Sequence, residues 1–179
     1  MKFFPAGIVF AGLLATAAVV SANVVVFNFP LSGDQEVPPV TTPATGFASV
    51  SLDMDSNFLT WDISYQDLKA PLISAHFHGP ADFGVNASVL VNLSPSTGAT
   101  SGSIIGSTTL AEAQGFSANE IRDFIAGGMT YINLHSDGAQ GGHGAGELRG
   151  QVVPEPRTYG LMAGILALGA AFYWRRRRC

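Results

Sequence analysis

Short runs in which apolar and polar residues alternate dominate the middle of this chain. The clearest is FLTWDISYQDL, where Leu59, Trp61, Ile63 and Tyr65 fall on one face and Thr60, Asp62 and Ser64 on the other. A period of two predicts a strand buried on one side. TGFASVSLD repeats the pattern, with Ala48, Val50 and Leu52 set against Ser49, Ser51 and Asp53. VVVFNF, LISAHFHGP, SVLVNLS, GSIIGSTTL, MTYINLH and GELRGQVV read as further strands, separated by turn residues. The predicted class is mainly β: an antiparallel immunoglobulin-like or Greek-key β-sandwich or barrel. One segment, SANEIRDFIAGG, breaks the period. Ser117 and Glu120 stand at capping-box spacing, Ile121, Phe124 and Ile125 form an apolar face, and Gly127-Gly128 end it. One short helix over an end of the β structure is expected there.

Both ends of the chain depart from this pattern. Residues 1–22 carry Lys2, an apolar run from Ile8 to Val20, and Val20 and Ala22 at the −3 and −1 places of a small-residue cleavage site. They read as a signal peptide, helical in its apolar part and removed after Ala22 by signal peptidase. Residues 154–179 begin with Pro154-Glu155-Pro156, continue as an apolar run from Tyr159 to Trp174, and close with Arg175, Arg176, Arg177, Arg178 and Cys179. An apolar helix over 159–174 would extend about 24 Å, close to the roughly 30 Å of a bilayer core, with the arginines on the cytoplasmic side. The order Pro-Glu-Pro, transmembrane helix, arginine cluster resembles the PEP-CTERM sorting signal. That resemblance implies an inner-membrane intermediate, processing by an exosortase near Pro154–Pro156, and delivery to the cell surface or an exopolysaccharide matrix.

Residues 23–153 remain as one domain, long enough to bury a core without covalent staples. Lys69, Arg122 and Arg149 are its basic residues, against twelve acids, for a formal charge of −9. Nucleic-acid binding is not expected of a surface with no basic patch. The domain has no cysteine, so thiol chemistry and cysteine-held metals are excluded, and any metal must use His, Asp or Glu. LDMDSN has the acid spacing of a calcium loop, but Phe58 stands where the glycine belongs and Ser64 where the closing Glu belongs. A polar turn between strands is the reading for it.

The candidate chemistry lies with the histidines. In LISAHFHGP, Ile73, Ala75 and Phe77 alternate with Ser74, His76 and His78, so both imidazoles share the face away from the core. Side chains two apart on a strand are separated by roughly 6.5–7 Å, from which two rings can converge on one ion. In YINLH, His135 shares the polar face of Tyr131 and Asn133, while His143 falls in a glycine-rich loop. His76, His78 and His135 are thus the candidate ligands for copper or zinc. Glu147 and Arg149 share a face of the next strand, positioned for a structural ion pair or for capping loops. The competing interpretation is a polar strand face whose histidines bond to carboxylates or backbone.

Three blocks resemble the CHRD, or chordin-type, domain: LSGDQEVPPVTTPATGFASVSLD, ISAHFHGPADFGVNASVLVNL and GMTYINLHSDGAQGGHGAGELRGQV. The matching positions are Gly33, Glu36, Val37, Pro38, Pro39 and Gly46; His76, His78, Gly79 and Pro80; and Tyr131, Asn133, His135, Gly146, Glu147, Arg149, Gly150 and Gln151. The resemblance implies an extracellular immunoglobulin-like β-sandwich and little chemistry. SDGAQGGHGAGE is longer than the Pro-containing turn usual in the family. HFHGPADFG, YINLH and GHGAGELRG also run in an order similar to copper/zinc superoxide dismutase. That likeness implies copper on His76, His78 and His135, with Arg149 guiding an anion to the metal. The zinc-loop ligands and the cysteine pair of that family have no counterpart here.

The reading favoured by the sequence is an exported structural or binding module at the cell surface or in a matrix, and not an enzyme. No catalytic residues are assigned, since neither a G-x-S-x-G elbow nor an H-E-x-x-H arrangement occurs. The alternative is a copper or zinc protein with a dismutase-like histidine site. GDQEVPP is expected to act as a turn and edge-strand device, because Pro38-Pro39 removes ladder donors.

Overall fold

The structure is a computed structural model and describes residues 23–153. The expected signal segment, Pro154-Glu155-Pro156, the helix over 159–174 and Arg175–Arg178 all lie outside these residues. Among the described residues, no helix is long and apolar enough to cross a membrane.

Eight strands form where alternation predicted them: β1 (Val24–Ser32), β2 (Thr45–Asp53), β3 (Phe58–Gln66), β4 (Leu72–His78), β5 (Val89–Asn92), β6 (Gly102–Thr109), β7 (Tyr131–Ser136) and β8 (Leu148–Gln151). They make one antiparallel sheet in the order β5-β4-β7-β8-β1-β2-β3-β6. The sheet curls into a half-barrel around a single apolar cluster. The sequence left sandwich and barrel open; a continuous hydrogen-bonded order is what forms, joined at its middle by one residue pair, Ser32 with Arg149.

β1, β2 and β3 are consecutive neighbours with full nine-residue register. The turn between β2 and β3 is the polar one expected from LDMDSN. Asp53 Oδ1 accepts from the amides of Asp55 and Ser56, and Asn57 takes a left-handed φ of 59°. The chain then crosses to β4 and β5, returns to β6 beside β3, and crosses again to place β7 between β4 and β8.

The core draws on every part of that path. Phe27, Phe29 and Leu31 of β1, Leu59, Trp61 and Ile63 of β3, Ala75 and Phe77 of β4, and Ile132 and Leu134 of β7 belong to one buried cluster. Each large apolar side chain removed from water stabilises the fold by roughly 1.5–3 kcal/mol before entropy is counted. Helix α1 (Ala118–Ala126) contributes Ile121 and Ile125 to that cluster. Its start is the expected capping box: Ser117 Oγ accepts from Glu120 N, and the Glu120 carboxylate accepts from Ser117 N.

Two expectations need correction. Ile73 does not face the core: it is 44% exposed, and Leu72 is buried instead. The register shifts between Leu72 and Ser74, so the strict period of two begins only at Ser74. Pro38-Pro39 does not blunt an edge either. β1 is flanked by β8 and β2, and residues 36–44 run as a loop between β1 and β2. The edges of the sheet are β5 and β6.

Candidate metal centre

β7 is buried on both faces: Ile132 and Leu134 point to the core, and Tyr131 and Asn133 on the other face are also buried. That second face carries the histidines. Register sets Ser74 of β4 opposite His135 of β7, His76 opposite Asn133, and His78 opposite Tyr131. His135 therefore sits diagonally from His76, close enough for their rings to meet.

The three imidazoles converge. Ring centroids are 5.1 Å apart for His76 and His135, 5.5 Å for His76 and His78, and 6.0 Å for His78 and His135. His76 Nδ1 lies 3.2 Å from His135 Nε2. One nitrogen from each ring falls within 4.8 Å of the others. Around a tetrahedral ion with bonds of about 2.0–2.1 Å, ligand nitrogens stand roughly 3.3 Å apart, so small ring rotations bring this set to bonding distance.

Backbone carbonyls orient two of the rings. His78 Nδ1 donates to Ala87 O at 2.9 Å, and His135 Nδ1 donates to Gly144 O at 3.1 Å. A proton on each Nδ1 leaves each Nε2 with its lone pair, as a metal ligand requires. His78 Nε2 is buried and has no hydrogen-bond partner. Burial lowers the pKa of all three rings. His76 is pushed down to about 4 by desolvation and then by its neighbours His135 and His78. His78 and His135 are lowered chiefly by desolvation, each partly offset by its carbonyl. Each ring favours its neutral form, and a cation would replace the His76 Nδ1–His135 Nε2 hydrogen bond, with the His76 proton moved to Nε2. The donor set is three imidazole nitrogens, which suits copper and zinc better than calcium or magnesium.

A stack supports this corner of the sheet. The His78 ring lies parallel to Tyr131, 5.0 Å away at 6°, and the Arg149 guanidinium sits 3.5 Å from the centre of the Tyr131 ring. Arg149 neither pairs with Glu147 nor presents itself to solvent anions. It is 1% exposed, and its donors reach Asn86 Oδ1, Val85 O and Gln151 Oε1. Glu147 is buried and accepts instead from Ser136 Oγ, Thr42 Oγ1 and Lys69 N. The loops at residues 85–87 and 36–44 draw the two side chains to different partners, so same-face placement on the strand does not become an ion pair.

His143 stays outside the cluster. Its amide donates to Ser136 Oγ, and it lines a pocket of about 330 Å³ with Glu36, Pro38 and the glycine-rich loop. Glu36 is the residue to which the sequence assigned no role. It is 6% exposed, accepts from Asn133 Nδ2 at 3.3 Å, and feels the positive charge of Arg149. In the sequence it stood out only as one of the CHRD-matching positions within GDQEVPP, with nothing to place that block over β7.

Comparison with the curated proteins and with the solved structures finds no match. The family model described as the CHRD domain matches residues 27–152. That span takes in every strand that bears the three histidines and the loops that cover them, and the chain belongs to the CHRD domain family.

Proposed function

We propose that this domain is a metal-binding module, holding copper or zinc on His76 Nδ1, His78 Nε2 and His135 Nε2. Family membership supports an extracellular-type binding or structural module; the metal reading rests on the cluster itself. The observation that carries it is His78 Nε2, a buried lone pair with no partner and two further imidazole nitrogens within 4.8 Å. A buried acceptor left unpaired costs about 1–3 kcal/mol, and a bound cation removes that cost. Metal storage and copper redox cycling are the two activities such a nitrogen set supports.

Loading the full chain with copper or zinc and dialysing should leave about one ion per chain, the stoichiometry of a single three-ligand site. His76→Ala and His135→Ala proteins should lose it. Retention unaffected by both substitutions, or none in the wild type, sinks the metal reading and leaves a structural or matrix module.

Export and sorting belong to the same proposal. Residues 1–22 and 154–179 support passage through signal peptidase, an inner-membrane intermediate and an exosortase, ending at the surface or in an exopolysaccharide matrix. Deleting residues 154–179 should release the domain in soluble form; surface attachment that survives the deletion refutes the sorting step.

A further inference from the structure

We propose that Glu36 is held as a neutral carboxylic acid in a cyclic acid–amide pair with Asn133, forming a proton-operated latch that fastens loop 36–44 to the polar face of β7 beside the histidine cluster. The latch goes beyond the metal reading and does not depend on it.

Two buried oxygens at this contact have no partner. Asn133 Nδ2 donates to Glu36 Oε2. The other oxygen of each group, Glu36 Oε1 and Asn133 Oδ1, is buried without a partner. Both lie within 2.7 Å of the single point that a Cβ on Gly146 would occupy. With Glu36 ionised, two acceptors crowd one spot and neither is satisfied, a costly arrangement away from water. One proton on Oε1 makes it a donor to Asn133 Oδ1. Two hydrogen bonds then close a ring, and both orphans disappear together.

The surroundings favour that proton. Burial raises the Glu36 pKa to about 7, against the lowering effects of Arg149 and of the Asn133 hydrogen bond. Arg149 approaches from β8, but three of its N–H groups go to Asn86, Val85 and Gln151, and no ion pair with Glu36 forms. Asn133 comes from β7 and is neutral. His143 lines the same pocket from the glycine-rich loop. Glu147, next to Gly146, is engaged by Ser136, Thr42 and Lys69 N. Asp34, on Glu36's own turn, is exposed.

Gly146 is part of the device. Its φ of 137° favours glycine, and a side chain there would occupy the space of the acid–amide pair. The pocket of about 330 Å³ lies between residues 36–40 and 142–146, and Gly144 O orients His135. When Glu36 ionises, the second bond of the ring is lost and Oε1 and Asn133 Oδ1 are left as unpaired acceptors, so the loop is held by the Nδ2–Oε2 bond alone and this pocket loosens on the side of the cluster that positions His135.

The test is a carbon-13 NMR titration of the full chain labelled at glutamate, with a chelator present to exclude metal. One of the five glutamates should titrate near pH 7, and that resonance should vanish in Glu36→Gln. Glutamine keeps the ring, donating to Asn133 Oδ1 and accepting from Nδ2, but cannot ionise. The Val40 amide, which donates to Gly33 O, should exchange about tenfold faster in wild type than in Glu36→Gln well above pH 7, and equally well below it. A Glu36 that titrates in the ordinary carboxylate range overturns the latch, as does Val40 exchange that is the same in both proteins at high pH. Should Glu36→Gln fail to fold, the wild-type titration decides alone, with the resonance assigned through its bonds to the Glu36 backbone.

Discussion

In the β1–β2–β3–β6 half of the sheet, the outward positions Ser49, Ser51, Thr60, Asp62 and Ser64 keep contact with solvent. In the β4–β7–β8 half, the outward positions Tyr131, Asn133, Arg149 and Gln151 are buried. Both halves send apolar side chains into one core. They differ in what lies over the other face: water in the first half, loops in the second. A polar residue beneath water finds partners everywhere. A polar residue beneath a loop needs a partner from the protein, which is why Arg149, Gln151 and Glu147 make several hydrogen bonds each. The few atoms left unpaired there, among them His78 Nε2, Glu36 Oε1 and Asn133 Oδ1, mark where a cation or a proton is expected to bind.

The largest effect should come from the core that both halves share. Phe77, fully buried between His76 and His78 in the chain, should cost roughly 3–5 kcal/mol when replaced by Ala, measured by denaturant unfolding. A cost under about 1 kcal/mol would mean that the two halves do not close on one core.

Next comes the covered face. Arg149→Met should cost about 1–3 kcal/mol, because a fully buried guanidinium gives up its hydrogen bonds to Asn86 Oδ1, Val85 O and the buried Gln151 Oε1. It should leave retained metal unchanged, since the guanidinium bonds none of the three histidines. Loss of metal in this variant would restore a role for Arg149 at the site.

The pH dependence of the metal-free protein tests the two buried titrating regions against each other. His76 has a folded pKa of about 4, below its reference value of 6.5. The unfolded chain therefore takes up a proton first, and stability falls as pH drops from 6.5 towards 4. His78 and His135 act in the same direction. Glu36, raised from 4.5 to about 7, acts the other way: its contribution is present below 4.5 and is lost as pH rises through 7. The two oppose each other between 4.5 and 6.5. Glu36→Gln should accordingly lose stability more steeply on acidification than wild type across that window, followed by thermal unfolding. Parallel curves would remove the opposition.

The smallest effect belongs to the solvated face. Ser51→Ala should change stability by no more than about 0.5 kcal/mol. A cost comparable to that of Arg149→Met would show that this face, too, is covered in the intact protein.

Much of this contrast was legible in the chain. Alternation located all eight strands, because a strand with one face in the core must alternate, and the Ser117–Glu120 spacing located the helix because the cap is local. His76 and His78 were assigned to one face by the same rule. Ile73 escaped it, because a register shift leaves no mark in the pattern of polar and apolar residues. Glu147 and Arg149 share a face, but their loop partners, Thr42, Lys69, Val85 and Asn86, lie 63 to 105 residues away in sequence, and no local signal identifies those.

The sequence by itself determined the strands, the helix and its cap, the absence of cysteine from residues 23–153, and the three histidines as a candidate set. Each of these depends on neighbours within a few residues or on composition alone. Only the tertiary structure decided that His135 of β7 reaches His76 of β4, that Ala87 and Gly144 set the ring tautomers, and that Glu36 meets Asn133 under Gly146. Those contacts join segments 9 to 97 residues apart, and chain crossings that place β7 between β4 and β8 bring them together.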